Sequence, residues 1–107
     1  MTRSPIDIGA MRHRLILEVP ALDAEGRQLW TPVANVWAAI TPVEAGEATL
    51  AGHDTGRVSH RILIRHRADV GSAMRLRKGS RVFWVRAAFD PDETGRALVL
   101  LAGEDGR

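Results

Sequence analysis

The chain has 107 residues and a mass of 11.7 kDa, enough for one domain and too little for two independent hydrophobic cores. It contains no cysteine, which excludes disulfides, thiolate metal sites and cysteine nucleophiles. Leu, Ile, Val and Phe account for 27 residues, so we expect a folded chain with a core of modest size. No apolar run approaches the roughly 20 residues that span a bilayer, and residues 1–5 lack the apolar stretch of a signal peptide. We therefore expect a soluble protein that is intracellular where it is made.

The charge of the whole chain is weak evidence for nucleic-acid binding. The sequence pI is about 10.4, but 15 basic and 13 acidic residues leave a net charge of only +2. Lys78 is the sole lysine, and an arginine guanidinium does not titrate below about pH 12. A small excess of arginine is therefore enough to raise the pI.

Alternation of apolar and polar residues predicts strands in most of the chain. Residues 12–19 predict a half-buried first strand, which we expect Pro20 to end. A turn leads to a second strand over residues 28–41, in which Pro32 cannot donate a backbone hydrogen bond. We therefore expect an edge or a bulge at Pro32, with regular pairing only from Val33 onward.

The third strand carries the clearest alternation. Residues 57–67 have Ile62 and Ile64 on one face, and we expect both to be core anchors. Trp37, a large aromatic among small residues of the second strand, is expected to be a third core anchor. The opposite face of the third strand carries four arginines, Arg57, Arg61, Arg65 and Arg67. They could bind phosphates, pair with acidic groups of a subunit or partner, or lie solvated on a face that resists aggregation.

The rest of the chain predicts three further short strands. A hairpin over residues 75–88 is followed by a turn over residues 90–95 and a last strand over residues 96–102. The fold class is therefore expected to be mainly β, a small barrel or sandwich of about six short antiparallel strands. The expected divisions of this single domain are an N-terminal arm, a barrel and a C-terminal tail at residues 1–8, 9–102 and 103–107.

One long segment does not fit the strand pattern. Residues 42–56 form a loop between the second and third strands, and they carry negative charge without any lysine or arginine. Loops of this length in a compact domain are usually functional or disordered. The residues that we single out in this loop are Glu44, Glu47, Thr49, His53 and Asp54.

Metal and catalytic sites find little support in the sequence. His60 and His66 share a face of the third strand, but six residues of extended chain separate them by about 20 Å, too far for one ion. The turn over residues 90–95 imitates the opening of a calcium loop, yet Leu101 occupies the position of the required bidentate glutamate. No serine lies in a nucleophile elbow. We expect no metal, no cofactor and no enzymatic activity, and a small barrel enzyme has no candidate catalytic residue.

Several short motifs follow one another in a specific order and spacing over residues 8–102. They are Ile8-Gly9-x-Met11-Arg12-His13-Arg14-Leu15-Ile16, Gly26 with Trp30, Val36-Trp37-Ala38-Ala39-Ile40, Ser59-His60-Arg61-Ile62-Leu63-Ile64-Arg65, Met74-Arg75-Leu76, Gly79 and Asp92-Glu93-Thr94-Gly95-Arg96. Taken together, they resemble the phage head-tail joining family, the head-closure or stopper proteins of tailed phages and of phage-like gene transfer agents.

The resemblance implies a barrel that assembles as a ring below the portal or its adaptor, seals the DNA exit channel and docks the tail. The implied partners are other copies of the chain, a portal or adaptor protein, a tail terminator or other tail protein, and packaged double-stranded DNA, with no membrane. The loop over residues 42–56 would point into the channel. The implied location is the neck of a virion or phage-like particle, after a period in the cytoplasm of the producing cell.

An alternative function of another class stays open on the sequence. A stand-alone nucleic-acid-binding small β-barrel could use the four arginines of the third strand as a phosphate track. The strand face that carries them lacks the stacking aromatics that usually accompany single-strand binding.

Overall fold

The computed structural model describes residues 8–43 and 58–104. A 3₁₀ turn, Ile8–Ala10, precedes six strands, which are β1 His13–Leu22, β2 Gln28–Pro42, β3 His60–Arg65, β4 Arg75–Lys78, β5 Arg81–Phe89 and β6 Ala97–Gly103. All neighbours pair antiparallel in the order β1-β2-β3-β6-β5-β4, and β4 pairs back to β1 to close a barrel. The predicted fold class is confirmed, including the long connection between the second and third strands. No helix among the described residues is long and apolar enough to cross a membrane.

The main core fills the inside of the barrel. Its fully buried side chains of largest volume are Phe83, Leu15, Leu17, Ile62, Ile64, Leu76, Leu100 and Val85. Each comes from a position that alternation along its strand points inward, since successive side chains of a strand face opposite sides of a sheet. Burying one leucine or isoleucine of this kind stabilises the fold by about 1.5–3 kcal/mol.

Trp37 does not belong to this core. Its side chain lies on the outer face of β2 with 57% of its surface exposed, so the prediction of a core anchor is wrong. Val36 and Ala38 occupy the inner positions on either side of it. Because a strand alternates its faces, burial of those two residues directs the indole outward.

A β-bulge divides β2 into two halves. Leu17 of β1 pairs with Ala34, whereas the next residue, Glu18, pairs with Pro32, so Val33 is the extra residue. The bulge reverses which residues face outward along the strand. The predicted bulge beside Pro32 is therefore observed.

Pro20 and Pro32 lie within paired strands, contrary to two expectations. Pro20 does not end β1, which continues to Leu22, and β2 pairs with β1 from Gln28 rather than only from Val33. The physical reason is that β1 beyond Glu18 and β2 before Ala38 each have a partner strand on one side only. In β2 the pairing with β3 begins at Ala38, so Pro32 needs no second ladder hydrogen bond.

The last strand, β6, is buried on both faces. Its outward side chains, Ala97, Val99 and Leu101, form a second cluster with Leu63 and Met11. The outer face of a small barrel normally meets water, so this strand needs a cover on the outside. Met11, just after the 3₁₀ turn, supplies part of that cover.

The two ends of the barrel carry different features. We call the end where β2 finishes and β3 begins the loop end, because residues 44–57 leave the barrel there. The opposite end carries the β1–β2 turn, residues 66–74 and the turn between β5 and β6, and we call it the turn end.

Candidate functional site

The predicted channel loop leaves the barrel at the loop end. The residues that we single out in this loop lie outside the described residues; they are Glu44, Glu47, Thr49, His53 and Asp54. Arg57 also lies outside the described residues. At the base of the loop, the backbone N–H of Val43 donates to the carbonyl of Ser59 at 3.0 Å. Pro42 pairs with His60 just before it. The base of the loop therefore continues the ladder between β2 and β3.

A polar group of side chains, which we call the end cluster, lies beside this base. It contains Ser59, His60, Arg81 and Glu104. Arg81 donates to Glu104 from Nε at 2.6 Å and from Nη2 at 2.9 Å. The Ser59 hydroxyl accepts from the Glu104 backbone N–H at 2.8 Å and lies 2.8 Å from His60 Nδ1. The end cluster thus ties the start of β3 and the start of β5 to the residue after β6.

The charges in the end cluster support one another. Hydrogen bonds from Arg81 hold the pKa of the Glu104 carboxyl below its usual value of 4.5, against the opposing effect of burial, and the nearby His60 adds to the lowering. The same pairing raises the pKa of Arg81. His60 also packs edge-on against Phe83, with ring centroids 5.2 Å apart, which joins the cluster to the top of the core.

A second polar network lies on the outer face of β1 and β4. Glu18 is only 4% exposed. Its two carboxylate oxygens accept from Arg75 Nε at 2.6 Å and from Arg77 Nε at 3.1 Å. The Arg75 guanidinium lies over the ring of Trp30 at 4.3 Å and 5.4 Å from the ring of Trp84. The sequence did not predict this network, although the alternation of Arg75 and Arg77 around a leucine indicates two charged residues on the outer face.

The described arginines of the third strand do not share one environment. Arg61 lines an outer groove of about 290 Å³ with apolar side chains that include Leu63 and Phe89. Arg67 makes a two-point ion pair with Asp69, at 3.0 and 2.9 Å, which raises the pKa of Arg67 and lowers that of Asp69. Arg65 is exposed at the end of β3. The structure therefore separates these residues into a groove lining, an ion pair and an exposed cation.

Arg65 borders a second cleft, on the outer face of β2 and β3. The cleft has a volume of about 240 Å³, and its lining includes Asn35, Trp37, Arg65, His66 and Arg67. The exposed indole of Trp37 forms one wall. Cationic side chains and an aromatic ring are therefore brought together at a site that the sequence did not predict.

An acidic turn, residues 90–95, connects β5 to β6 at the turn end. Asp90 Oδ1 accepts from the backbone N–H of Glu93 at 2.8 Å, and its Oδ2 accepts from that of Gly95 at 2.7 Å. Asp92 pairs with Arg96 at 3.2 Å. Glu93 adopts a positive φ of 59°, which is uncommon for a residue other than glycine. The carboxylate of Asp90 thus serves to hold the backbone of the turn.

Comparison with known proteins agrees with the fold and with the sequence resemblance. A family model described as phage head completion protein matches residues 6–105. The solution structure of protein SF1141 from Shigella flexneri 2a is similar with a TM-score of 0.71 and 26% identity, over 95% of this chain and 99% of that one. A chain in the virion of a native gene transfer agent particle is similar with a TM-score of 0.60 and 28% identity, over 87% of this chain and 93% of that one. Comparison with curated protein sequences gives no match.

The family match extends over the whole barrel, from residue 6 before the 3₁₀ turn to the residue after Glu104. It includes all six strands and both polar networks. The resemblance drawn from the sequence motifs is confirmed, and the chain belongs to the phage head completion protein family.

Proposed function

We propose that this barrel is a head-closure protein that forms a ring below the portal or its adaptor, seals the DNA exit channel and docks the tail. Family membership and the similarity to a chain of a gene transfer agent virion support a structural role in the particle. The observation that carries the finer proposal is the base of the long loop. Val43 and Ser59 are joined by a backbone hydrogen bond at one end of a closed barrel, so the loop starts from a rigid support.

The proposed mechanism is steric closure by many copies of one loop. A ring forms when one patch of a subunit meets a different patch of the next copy, here in roughly six to twelve copies. Copies of Glu44, Glu47 and Asp54 near the ring axis would repel DNA phosphates and keep the DNA from adhering to the closed loops. DNA is then held by exclusion, and it slides when the loops move aside.

A structural role without catalysis is part of the proposal. In the described part of the chain the acidic groups with lowered pKa, such as Glu104 and Asp69, are engaged with arginines. Such ion pairs perturb pKa values without any reaction. We expect no cofactor and no enzymatic activity.

The arginines of the third strand are proposed to contact a neighbouring subunit, the portal or adaptor, or a tail protein. Charge complementarity between separately folded components accelerates their docking and fixes their register. Arg61 and Arg65 are the exposed members among the described residues.

Shortening the loop tests the proposal. Residues 44–57 are replaced by a short Gly-Ser turn. Because Val43 and Ser59 are joined by a backbone hydrogen bond, such a turn can connect β2 to β3 as a hairpin. We expect the barrel to fold and to enter particles, because loop closure depends only weakly on length. Those particles should fail to retain packaged DNA. The measurement is nuclease-protected DNA before and after triggered ejection, and normal retention without the loop contradicts the proposed closure.

Two variants that keep the length of the loop provide matched controls. Replacement of Glu44, Glu47 and Asp54 together by lysine should leave DNA retained but slow its exit, most of all at low salt. Replacement of the same residues by the neutral Gln, Gln and Asn should retain DNA with a smaller effect on exit. Equal rates of DNA exit for the wild type, the lysine variant and the neutral variant would contradict the electrostatic part of the mechanism.

The alternative, a stand-alone nucleic-acid-binding barrel, predicts a different result with the purified chain. A phosphate track gives an affinity for free DNA that falls steeply with salt. The head-closure proposal predicts little affinity for free DNA in a gel-shift experiment. The two-point pairing of Arg67 with Asp69 favours the head-closure proposal, because it removes one cation from the track.

A further inference from the structure

Three exposed side chains form a row across the outer face of the barrel, which we call the Arg-Trp-Arg stripe. Arg14 of β1 pairs directly with Trp37 of β2. Ala38 pairs with Ile64, so the next position along that ladder brings Trp37 beside Arg65 of β3. Adjacent strands lie about 5 Å apart, so the row extends over roughly 10 Å.

The stripe has the composition of a binding surface rather than of a solvated strand. Trp37 is 57% exposed, and both arginines are exposed. No described residue forms an ion pair with Arg14 or Arg65. Tryptophan and arginine are the residues that most often dominate the energy of a protein interface. The cleft of about 240 Å³ beside Trp37 and Arg65 offers room for a side chain from another molecule.

The two arginines of the stripe favour an anionic binding partner, and the chain itself carries a suitable carboxylate. Glu93 lies at the exposed tip of the acidic turn, where Asp90 fixes the backbone with three hydrogen bonds to the N–H groups of Asp92, Glu93 and Gly95. No described residue forms an ion pair with the Glu93 carboxylate. The turn therefore presents a carboxylate on a rigid support, which reduces the entropy lost on binding.

The positions of the two features suit a ring. The stripe is centred on β2, and the acidic turn joins β5 to β6, two and a half strands farther round the barrel of six. The stripe and the turn are different surfaces, so a contact between them is heterologous, and such a contact forms a ring when its rotation closes.

We propose that the Arg-Trp-Arg stripe of one copy receives Glu93 and the acidic turn of the next copy, an inference that rests on the proposed ring. The Glu93 carboxylate lies between two guanidinium groups, and the indole of Trp37 is covered by the turn. Removal of water by the indole strengthens the charged hydrogen bonds, which are stronger than neutral ones. Repetition of this contact around the axis closes the ring.

A lysine in the stripe allows the contact to be captured by a carbodiimide, which joins an amine to a carboxylate in direct contact. The chain has one lysine, Lys78, so the background is low. In particles that carry the Arg65→Lys variant, we expect a ladder of cross-linked chains and a peptide that joins position 65 to Glu93. The wild-type chain and the variant that combines Arg65→Lys with Glu93→Gln should not form the ladder.

A charge reversal tests the same contact through assembly. Arg65→Glu or Glu93→Arg alone should lower incorporation into particles at limiting protein by about tenfold or more. The double variant should recover most of that loss, since coupling between the two sites restores attraction. Each chain is first checked for a cooperative urea transition, because both sites lie outside the core. Folded single variants that enter particles normally would overturn the inference.

Two outcomes separate this inference from the proposed function. If the loop variant retains DNA but position 65 is still cross-linked to Glu93, head closure by the loop fails and the contact holds. If particles lose DNA with the loop but position 65 is cross-linked to another carboxylate or to none, the contact fails and the loop closure holds. Loss of DNA affinity in Arg65→Glu without loss of incorporation would assign the stripe to nucleic acid and overturn the inference.

Discussion

Glu18 is the one charged residue in the described part of the chain whose side chain is buried. Burial of a carboxylate is costly unless hydrogen bonds and opposite charge compensate it. Arg75 and Arg77 supply both, and the ring of Trp30 lies over the Arg75 guanidinium. Removal of the carboxylate therefore leaves a largely buried guanidinium without its partner.

We expect Glu18→Gln to lower the free energy of unfolding by about 2–4 kcal/mol, because breaking a buried ion pair from one side is strongly destabilising. Urea melts measure the change. Glu25→Gln is the matched control: its exposed pair with Arg27, at 3.5 Å, should contribute less than about 0.5 kcal/mol. Similar small losses in both variants would contradict the role of Glu18.

Trp37 leads to the opposite expectation. Because its indole is mostly exposed, Trp37→Ala should lower the free energy of unfolding by less than about 1 kcal/mol. Phe83→Ala, at a fully buried aromatic, should cost about 3–5 kcal/mol. Urea melts of both variants test this pair of values, and a large loss for Trp37→Ala would mean that the indole packs in solution.

The size and hydrophobicity of Trp37 could not show whether its side chain lies on the inner or the outer face of its strand. Its neighbours Val36 and Ala38 are the inner residues, and the strand alternation that carries them inward was visible. The partners of Glu18 could not be found at all, because 57 residues separate it from Arg75. Contacts of this kind depend on which strands become neighbours in the barrel.

Alternation of apolar and polar residues was sufficient to predict six strands and their order along the chain. It failed at the prolines, because a rule against proline in a sheet holds only where a strand has partners on both sides. Pro20 of β1 and Pro32 of β2 each lie where their own strand has a partner on one side only. Strand neighbours therefore had to be known before the strand ends could be predicted.

The end cluster predicts a pH dependence of stability. The pKa of Glu104 is lowered in the folded chain by Arg81, so the pairing adds stability above the usual value of 4.5 and loses it as the pH falls through the folded pKa. The melting temperature of the wild type should therefore exceed that of Glu104→Gln from pH 7 to about 5, and this difference should disappear below about pH 4.5. Thermal unfolding across this range measures the gap.

Arg81→Gln offers an independent check of the same pairing, since it removes the donor rather than the carboxylate. Its gap to wild type should close over the same pH range. A gap that persists in full at pH 2 would show that the substitutions act through packing and not through the charge of Glu104.

We expect the purified chain to be largely monomeric. The proposed contact through the stripe is small, and association has to overcome the loss of translational and rotational freedom. A portal or adaptor that orders the subunits removes much of that cost, so the ring should form only there. Sedimentation at micromolar concentration measures the state, and a stable closed ring without partners would contradict this expectation.

The closure of the barrel is uneven around its circumference. The junction of β1 with β4 contains three paired positions, from Ile16 with Arg77 to Glu18 with Arg75, whereas β3 and β6 share six. The ion pairs of Glu18 with Arg75 and Arg77 cross this short junction and add side-chain contacts to its few paired positions. Parting of β1 from β4 would leave the other five strand junctions joined, so the molecule could unroll into an open sheet and close again without losing its strand order.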